Sequence, residues 1–283
     1  MMAKTAIRKK KPALTLGIVI RRAILWGFAV WCLFPIYWLI NMSLKEAVDA
    51  IARPPTFIFI PTLQNYIDVI QDPRITKFLV NSLIIALSAT FLGLLIGAPA
   101  AYVLARHRFR LDSKIAFWIL ATRFTPPIAM LIPFFVIFYN LGLLGTHAGL
   151  IIAHIGINLA MIVWILRGFF QDLPRDLEDA AFIDGAGRFQ SFRRIILPLA
   201  LPGIAAVGIL TFLSSWNEFL FSMVLGGNDV MTVPVGIYAY IGFEQIEWGK
   251  LSAAATLMLA PVIAFILLFQ RQLVRGLTLG AVK

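Results

Sequence analysis

Charged and reactive residues are scarce in this 283-residue sequence. Only 14% of the residues are Asp, Glu, Lys or Arg, there are three histidines, and Cys32 is the single cysteine. One cysteine forms no intramolecular disulfide, and so few histidines and cysteines argue against a metal site. The sequence also lacks the Gly-x-x-x-x-Gly-Lys-Ser/Thr loop that cradles nucleotide phosphates and the Gly-x-Ser-x-Gly elbow of many hydrolases. We therefore expect a chain with no catalytic residue, no metal and no cofactor of its own.

Apolar residues are abundant instead. They make up 60% of the chain, and the mean hydropathy is +0.87, which is more apolar surface than a soluble protein of this length can bury. A helix needs roughly 20 apolar residues to cross a bilayer. Six runs approach or exceed this length, and they predict an all-α polytopic membrane protein with six transmembrane helices. The runs are Ala23 to Ile40, Phe78 to Leu104, Ile115 to Phe138, Ala148 to Phe169, Leu199 to Val224 and Leu251 to Phe269.

The basic residues indicate how these helices are oriented. If the N-terminus is inside, nineteen of the 25 basic residues lie on cytoplasmic segments, five lie outside, and Arg123 falls within the third run. Lys and Arg accumulate on cytoplasmic loops, so both termini are predicted to be cytoplasmic. The net charge of +11 is spread over four short segments. This spread argues against a nucleic-acid partner, which would favour one concentrated basic face, and leaves membrane lipid as the expected surrounding.

The same pattern divides the chain into four parts. Residues 1–22 form a basic cytoplasmic tail, 23–77 the first transmembrane helix and an external segment, 78–271 a core of five transmembrane helices, and 272–283 a cytoplasmic tail. The external segment contains "LQNYIDVI", which favours a short surface helix. The core contains a long external loop at 226–250 and a long cytoplasmic loop at 171–198.

The cytoplasmic loop reads as two short helices joined by a sharp turn. Pro174 suits a first helical position after Asp172 as a cap, and the first helix is predicted to end at Asp184 and Gly185. A second helix is predicted to begin near Arg188, with an apolar stripe at helical spacing. The stripe comprises Phe189, Phe192, Ile196 and Leu199.

Within this loop the residues resemble a known signature. Asp179-Ala180-Ala181, three residues, Gly185, nine residues, Ile195, one residue and Leu197-Pro198 match the EAA motif of ABC-importer permeases at every spacing. The leading acid differs, because Asp179 stands where Glu is usual, although Glu178 is adjacent. The third run, "SSWNEFLFSMVL" in the fifth and the tail "QRQLVRGLTLGAVK" resemble the permeases of carbohydrate importers, in particular the six-helix permease of maltose transporters.

This resemblance implies a non-catalytic permease subunit of an ATP-driven, binding-protein-dependent importer for a sugar, polyol or related solute in the bacterial inner membrane. The implied partners are a second permease subunit, two cytoplasmic ATPase subunits that use ATP and Mg, and an extracytoplasmic solute-binding protein that contacts loop 226–250. The C-terminal tail would contact the ATPase subunits. The residues implied to couple to the ATPase are Glu178, Asp179, Ala180, Ala181, Asp184, Gly185, Ile195, Leu197 and Pro198. The last three of them would anchor the loop to the fifth span.

Polar residues within the apolar runs are candidates for the solute pathway. Arg123 could line the pathway or pair with an acid near a gate. Alternatively, its side chain extends to the inner interface or caps a helix broken at the following prolines. The other candidates either contact the solute through aromatic, amide and carboxylate groups or hold helices together. They are His154, Asn158, Trp216, Asn217 and Glu218.

Two alternatives to an importer subunit stay open. A secondary transporter driven by an ion gradient would be expected to show an internal repeat or acids deep in its spans, and the sequence indicates neither. A membrane scaffold would show no solute specificity. Transport measured after reconstitution separates these classes of protein. An importer subunit transports only with an ATPase, a secondary transporter transports without one, and a scaffold does not transport.

Overall fold

The structure is a computed structural model that describes residues 16–107, 110, 112–238, 240–242 and 246–279. Outside them lie residues 1–15 of the predicted basic tail, 280–283 of the C-terminal tail, and a few positions of the loops at 106–114 and 226–250. The described residues contain no strand, only an isolated antiparallel bridge between Ile241 and Ile246. In chain order the α-helices are α1 (Leu16–Ser43), α2 (Ala47–Ala50), α3 (Gln64–Gln71), α4 (Pro73–Arg106), α5 (Asp112–Ala121), α6 (Pro127–Asn140), α7 (His147–Asp172), α8 (Asp176–Ile183), α9 (Arg188–Ser191), α10 (Leu197–Trp216), α11 (Leu220–Leu225), α12 (Val233–Tyr238) and α13 (Trp248–Leu279).

Five of these helical segments are long and apolar enough to cross a membrane. They are α1, α4, α7, α13 and the continuous helix that joins α9 to α10. The third predicted run is not a straight span: Lys114–Phe124 and Pro127–Asn140 are bent by 97° and count as a sixth crossing only if taken together. Thr125 adopts an extended conformation there because the proline that follows disfavours the helical one. The predicted surface helix in the external segment is confirmed as α3.

The fifth predicted run also differs from expectation at both of its ends. A π-helical stretch at Phe192–Ile196 joins α9 to α10, so the second predicted helix of the loop at 171–198 and the fifth span are one helix from Arg188 to Trp216. Pro198 is tolerated in it because it is the second residue after the π-helical stretch, where the regular hydrogen-bond ladder is already interrupted. The span ends at Trp216 rather than Val224, and α11 begins after a three-residue break.

The main packing contact lies between α4 and α7. Gly93 and Gly97 of α4 face Ile162 of α7. The two helices can approach this closely because glycine has no side chain. A Cβ at Gly97 would lie 2.5 Å from Ile162 Cγ2, and one at Gly93 would lie 2.9 Å from Ile162 Cδ1. Small residues of this kind let membrane helices approach closely.

Replacing Gly97 with valine is expected to destabilise the chain. The added carbons overlap the buried Ile162, and overpacking of this kind typically costs about 1–3 kcal/mol. Gly27→Val in α1 is the matched control, because a Cβ at Gly27 has no atom within 4 Å. Thermal unfolding of the purified chain in detergent should show a lower midpoint for G97V than for G27V, and equal midpoints would contradict this packing.

Contacts between chain segments separate the two ends of the bundle. At one end, Asn81 Nδ2 donates to Asp229 O at 3.2 Å and to Met231 O at 3.0 Å, and its Oδ1 lies 2.9 Å from His147 Nε2. At the other end, the last residue of α4, Arg106, donates to Leu173 O just after α7 at 2.9 Å. Segments predicted to share a side of the membrane therefore meet in the folded chain.

Candidate coupling site and membrane pathway

Helix α8 is the first element of the loop at 171–198, which is predicted to be cytoplasmic. Its first turn carries Asp176, Glu178 and Asp179, and acidic residues are favourable at the positive end of a helix dipole. The backbone N–H groups of Glu178 and Asp179 donate to Arg175 O at 2.8 and 3.1 Å. Pro174 was predicted as the first helical residue, but α8 begins two residues later, at Asp176.

The sharp turn after α8 depends on Gly185. This residue has φ +85°, a conformation that side-chain-bearing residues rarely adopt. Gly185 N donates to Phe182 O at 3.1 Å, and Ala186 N donates to Ala181 O at 2.9 Å. These two bonds form a Schellman motif, which satisfies carbonyls at the end of α8. The helix end at Asp184 and Gly185 is confirmed.

Glu178 holds α8 against the membrane-spanning helices. Arg106 Nε donates to Glu178 Oε1 at 2.8 Å, and Tyr102 Oη donates to Glu178 Oε2 at 3.3 Å. The side chains of Arg106 and Glu178 are only 5% and 10% exposed. Because Arg106 also bonds to Leu173, one buried ion pair joins the ends of α4, α7 and α8. The sequence grouped Glu178 with the ATPase-coupling residues, and the structure turns its carboxylate away from the solvent.

The other residues of the motif lie mostly on the open side of the turn. Asp179, Ala180, Asp184 and Gly185 are exposed, whereas Ala181 is buried. Two large apolar side chains that sequence reasoning did not assign to this surface flank them. Ile183 is 87% exposed and Phe189 is 74% exposed. The available signal was an apolar residue at each side of the predicted Asp-Gly turn.

The predicted apolar stripe of the second helix is half correct. Phe192 and Ile196 are buried, but Phe189 and Leu199 are exposed. The π-helical stretch between Phe189 and Leu199 adds a residue to its turn and changes which side chains share a face.

The three predicted anchor residues follow at the start of the fifth span. Ile195 and Leu197 pack partly buried against the hydrophobic cluster around Tyr102, Phe170 and Phe192, in which the Tyr102 and Phe192 ring centroids are 4.6 Å apart. Pro198 is exposed.

Two of the candidate pathway residues form a polar contact within the bundle. His154 on α7 is fully buried, and its Nε2 lies 3.5 Å from Glu218 Oε2. Glu218 Oε1 also accepts from Phe221 N at 2.8 Å, and its Oε2 accepts from Ser222 N at 3.0 Å. Glu218 therefore caps α11 and reaches a buried histidine two turns into α7. Glu218 itself lies in the break between α10 and α11, after the end of the fifth span at Trp216.

Asn158 and Arg123 lie near this contact. Asn158 Nδ2 donates to His154 O at 2.9 Å and to Ser215 Oγ at 3.2 Å, which ties α7 to α10. Arg123 lies at the bend between α5 and α6, is exposed, and donates through Nη1 to Ile157 O of α7 at 3.2 Å. The structure thus brings Arg123, His154, Asn158 and Glu218 to neighbouring positions around α7.

Trp216 and Asn217 are placed differently from each other. Trp216 is 1% exposed and stacks on Phe212 with ring centroids 5.6 Å apart, so its face is not open to a solute in this conformation. Asn217 is exposed, and its amide donates to Leu213 O in its own helix at 2.8 Å.

Glu218→Ala is expected to destabilise the chain, because two backbone N–H groups of α11 lose their acceptor. Each unpaired group costs about 1–3 kcal/mol when it stays buried. Asn217→Ala removes an exposed side chain and should change the free energy of unfolding by less than about 0.5 kcal/mol. Thermal unfolding of both variants checks this difference, and equal midpoints would show that Glu218 is not a structural cap.

Comparisons with known proteins agree with this architecture. The model of the family described as "binding-protein-dependent transport system inner membrane component" matches residues 89–279. The chain belongs to this family and is a multi-pass component of the inner membrane.

Named relatives cover nearly the whole chain. The sulfoquinovosyl glycerol transport system permease protein SmoH of Agrobacterium fabrum is 38% identical and covers 89% of this chain and 89% of its own. The trehalose/maltose transport system permease protein MalG of Thermococcus litoralis is 36% identical, with 90% and 93% covered. The trehalose transport system permease protein SugB of Mycobacterium tuberculosis is 35% identical, with 93% and 98% covered. All three relatives are named as permease proteins of transport systems.

A solved structure has the same fold. The chain is similar to one from a crystal structure of a bacterial ABC transporter involved in the import of the acidic polysaccharide alginate. The TM-score is 0.76 at 24% identity, covering 92% of this chain and 99% of the other. This likeness shows that the two chains share a fold.

Proposed function

We propose that this chain is one of two permease subunits of an ATP-driven, binding-protein-dependent importer for a sugar, a polyol or a related small polar solute. The observation that carries the proposal is the cytoplasmic loop, which presents exposed small, acidic and apolar side chains on a turn fixed by Gly185. A surface of this kind suits a partner protein that approaches closely. The chain has no nucleotide-binding loop, so ATP hydrolysis is assigned to partner subunits.

In this proposal the loop docks on an ATPase subunit through Asp179, Ala180, Asp184 and Gly185. Small side chains let the partner approach, and the carboxylates suit Arg or Lys on its surface. Ile183 and Phe189 supply the apolar contact, which explains two large apolar side chains exposed beyond the spans.

Glu178 and the anchor residues have a different task in the same proposal. The buried pair between Glu178 and Arg106 makes α8 move together with α4 and α7. Ile195 and Leu197 connect the turn to the helix that ends at Trp216. Movement of the ATPase is thereby passed to the membrane helices through a stiff connection rather than a flexible loop.

The orientation follows from the basic residues and the helix count. Six crossings, with α5 and α6 taken as one, would put both termini on the same side of the membrane, and the distribution of Lys and Arg favours the cytoplasm for that side. The contacts at the two ends of the bundle are consistent with this arrangement. The outer side then carries loop 226–250, which we assign to contact with the solute-binding protein. The C-terminal tail is assigned to the ATPase side.

The solute pathway is proposed to run beside α7, past Arg123, Asn158 and Asn217. Buried polar atoms support this location: His154 Nδ1, Asn158 Oδ1 and Trp216 Nε1 have no hydrogen-bond partner among the described residues, and His154 Nε2 has only its 3.5 Å contact with Glu218. Such groups favour a second conformation in which they gain partners, including solute hydroxyls. Trp216 would take part only after its contact with Phe212 opens.

The solute class rests on the relatives. Their names specify trehalose, maltose and sulfoquinovosyl glycerol, all of which carry several hydroxyl groups. We extend this class, and no single member of it, to the present chain.

The test is stimulation of ATPase activity by solute. The chain is co-purified with its second permease and ATPase subunits, and sugars and polyols are screened in the presence of the solute-binding protein. We expect at least one polyhydroxylated solute to raise ATP hydrolysis only when the binding protein is present. Hydrolysis that no solute changes, with all subunits present, would count against an importer.

A further inference from the structure

A cleft of about 290 Å³ lies where α4 and α7 end, on the side assigned to the cytoplasm. Its polar lining comprises Arg106, His107, Arg167, Gln171 and Arg175. A second cleft of about 200 Å³ shares Arg106, His107 and Arg175 and adds Arg188 on α9, and the carboxylates of Glu178 and Asp179 also line it. The two clefts together gather four arginines around the ends of two membrane-spanning helices.

The charge in these clefts is only partly balanced. Glu178 pairs with Arg106, and Asp179 also lines the second cleft, so two carboxylates stand against four arginines. Within the described residues no carboxylate lies within 4 Å of the guanidinium groups of Arg167, Arg175 or Arg188. Arg167 Nε donates to Leu104 O at 3.2 Å, and Arg188 Nη1 lies 3.2 Å from His107 Nε2. Each of these two arginines uses one N–H group in these bonds and keeps further donors available. The clefts therefore favour an anion that accepts several hydrogen bonds.

The surface next to the clefts is apolar on its membrane side. Val103 lies one turn before His107 on α4 and is 44% exposed, and Trp164 lies one turn before Arg167 on α7 and is 43% exposed. Further exposed residues, Leu95 and Pro99, extend the apolar surface of α4 away from the clefts. Trp at this level is typical of the membrane interface. The anion at the clefts would thus be attached to an apolar chain.

We propose that these clefts bind the phosphate of an anionic phospholipid from the cytoplasmic leaflet, with its acyl chains along Val103 and Trp164. The proposal rests on the orientation given under the proposed function. A guanidinium group can donate two parallel hydrogen bonds to the oxygens of one phosphate. Basic pockets between membrane helices on the cytoplasmic side suit lipid headgroups. Because Arg106 and Arg175 flank Glu178 in the clefts, the lipid also contacts the base of α8 and steadies the proposed coupling loop.

The test is lipid retention by the complete complex. The purified complex is titrated in detergent with phosphatidylglycerol or phosphatidylcholine, and bound lipid is counted by native mass spectrometry. The wild-type complex should retain more phosphatidylglycerol than phosphatidylcholine. R167Q with R175Q should weaken retention by about fivefold for each charge removed, and R167K with R175K should restore most of it.

The matched control is R193Q with R194Q. These arginines are exposed on the side assigned to the cytoplasm but line neither cleft. The variant therefore loses the same charge as R167Q with R175Q and leaves the clefts unchanged. Equal loss in both double variants, or no preference for phosphatidylglycerol in wild type, would overturn the proposal. Loss of the ATPase subunits from R167Q/R175Q with unchanged lipid retention would also overturn it, because the clefts would then bind an acidic protein surface.

Retention is measured without solute, binding protein or ATP, so the two proposals fail separately. A complex that retains phosphatidylglycerol but shows no solute-stimulated ATPase activity loses the proposed function and keeps the lipid site. A complex that shows solute-stimulated ATPase activity but does not retain phosphatidylglycerol loses the lipid site and keeps the proposed function.

Discussion

Glu178→Ala should lower the stability of this chain by more than any other single change in the cytoplasmic loop. The substitution leaves Arg106 buried without its counter-charge, and breaking a buried ion pair in this way costs about 3–5 kcal/mol. It also removes the acceptor of Tyr102 Oη. Thermal unfolding in detergent and the amount of co-purified ATPase subunit are the two measurements, and both are expected to fall.

Two further variants separate the ion pair from a general effect of charge. Asp176→Ala removes an exposed acid from the same helical turn and should cost no more than about 1 kcal/mol. Replacing both Arg106 and Glu178 with methionine removes the pair together, and such apolar replacements are often close to neutral. The double variant should therefore unfold at a higher temperature than Glu178→Ala. If Glu178→Ala and Asp176→Ala unfold at the same temperature, the buried pair does not hold α8 in place.

Gly185→Val should separate loop conformation from overall stability. A Cβ at Gly185 meets no atom within 4 Å, so the cost comes from the backbone conformation and not from a clash. Left-handed conformations cost an L-residue roughly 1–2 kcal/mol, and β-branched residues more. We expect the turn to rearrange, with loss of transport and of ATPase co-purification, while the membrane helices stay folded.

Gly187→Val is the control for this variant. Gly187 is also exposed and open on its Cβ side, but its φ is −74°, which valine adopts readily. Gly185→Asn is expected to keep part of the activity, because Asn visits left-handed conformations more easily than valine. Normal transport and ATPase co-purification in Gly185→Val would count heavily against the docking role of this turn.

The helical architecture and the turn were accessible from the sequence because their signals are local. Six apolar runs of sufficient length predict the spans, and an Asp-Gly pair after a helical segment predicts a left-handed residue at the helix end. The bend in the third run was less accessible, since Pro126 and Pro127 mark a break but not its angle of 97°. The π-helical stretch at Phe192–Ile196 has no sequence signal of this kind, and it explains why the apolar stripe was only half correct.

The roles of individual side chains depended on contacts distant in sequence. Glu178 and Asp179 are adjacent acids in the same motif, and nothing local distinguishes them. The distinction comes from Arg106, which lies 72 residues before Glu178. Of the two acids, only Glu178 accepts a hydrogen bond from it. Trp216 and Asn217 are likewise neighbours, and the helix end between α10 and α11 buries one and exposes the other. Sequence patterns located the loop and the pathway region, and tertiary packing decided which side chains are available there.

Solute uptake into proteoliposomes tests the central claim most directly. The complex of both permease subunits and the ATPase subunits is reconstituted with the binding protein outside, and uptake of a stimulating solute is followed with ATP inside or with a proton gradient alone. The proposal predicts uptake only with ATP, and none when Gly185→Val is present. Uptake driven by the proton gradient without ATPase subunits would contradict it and would direct attention to the buried contact between His154 and Glu218.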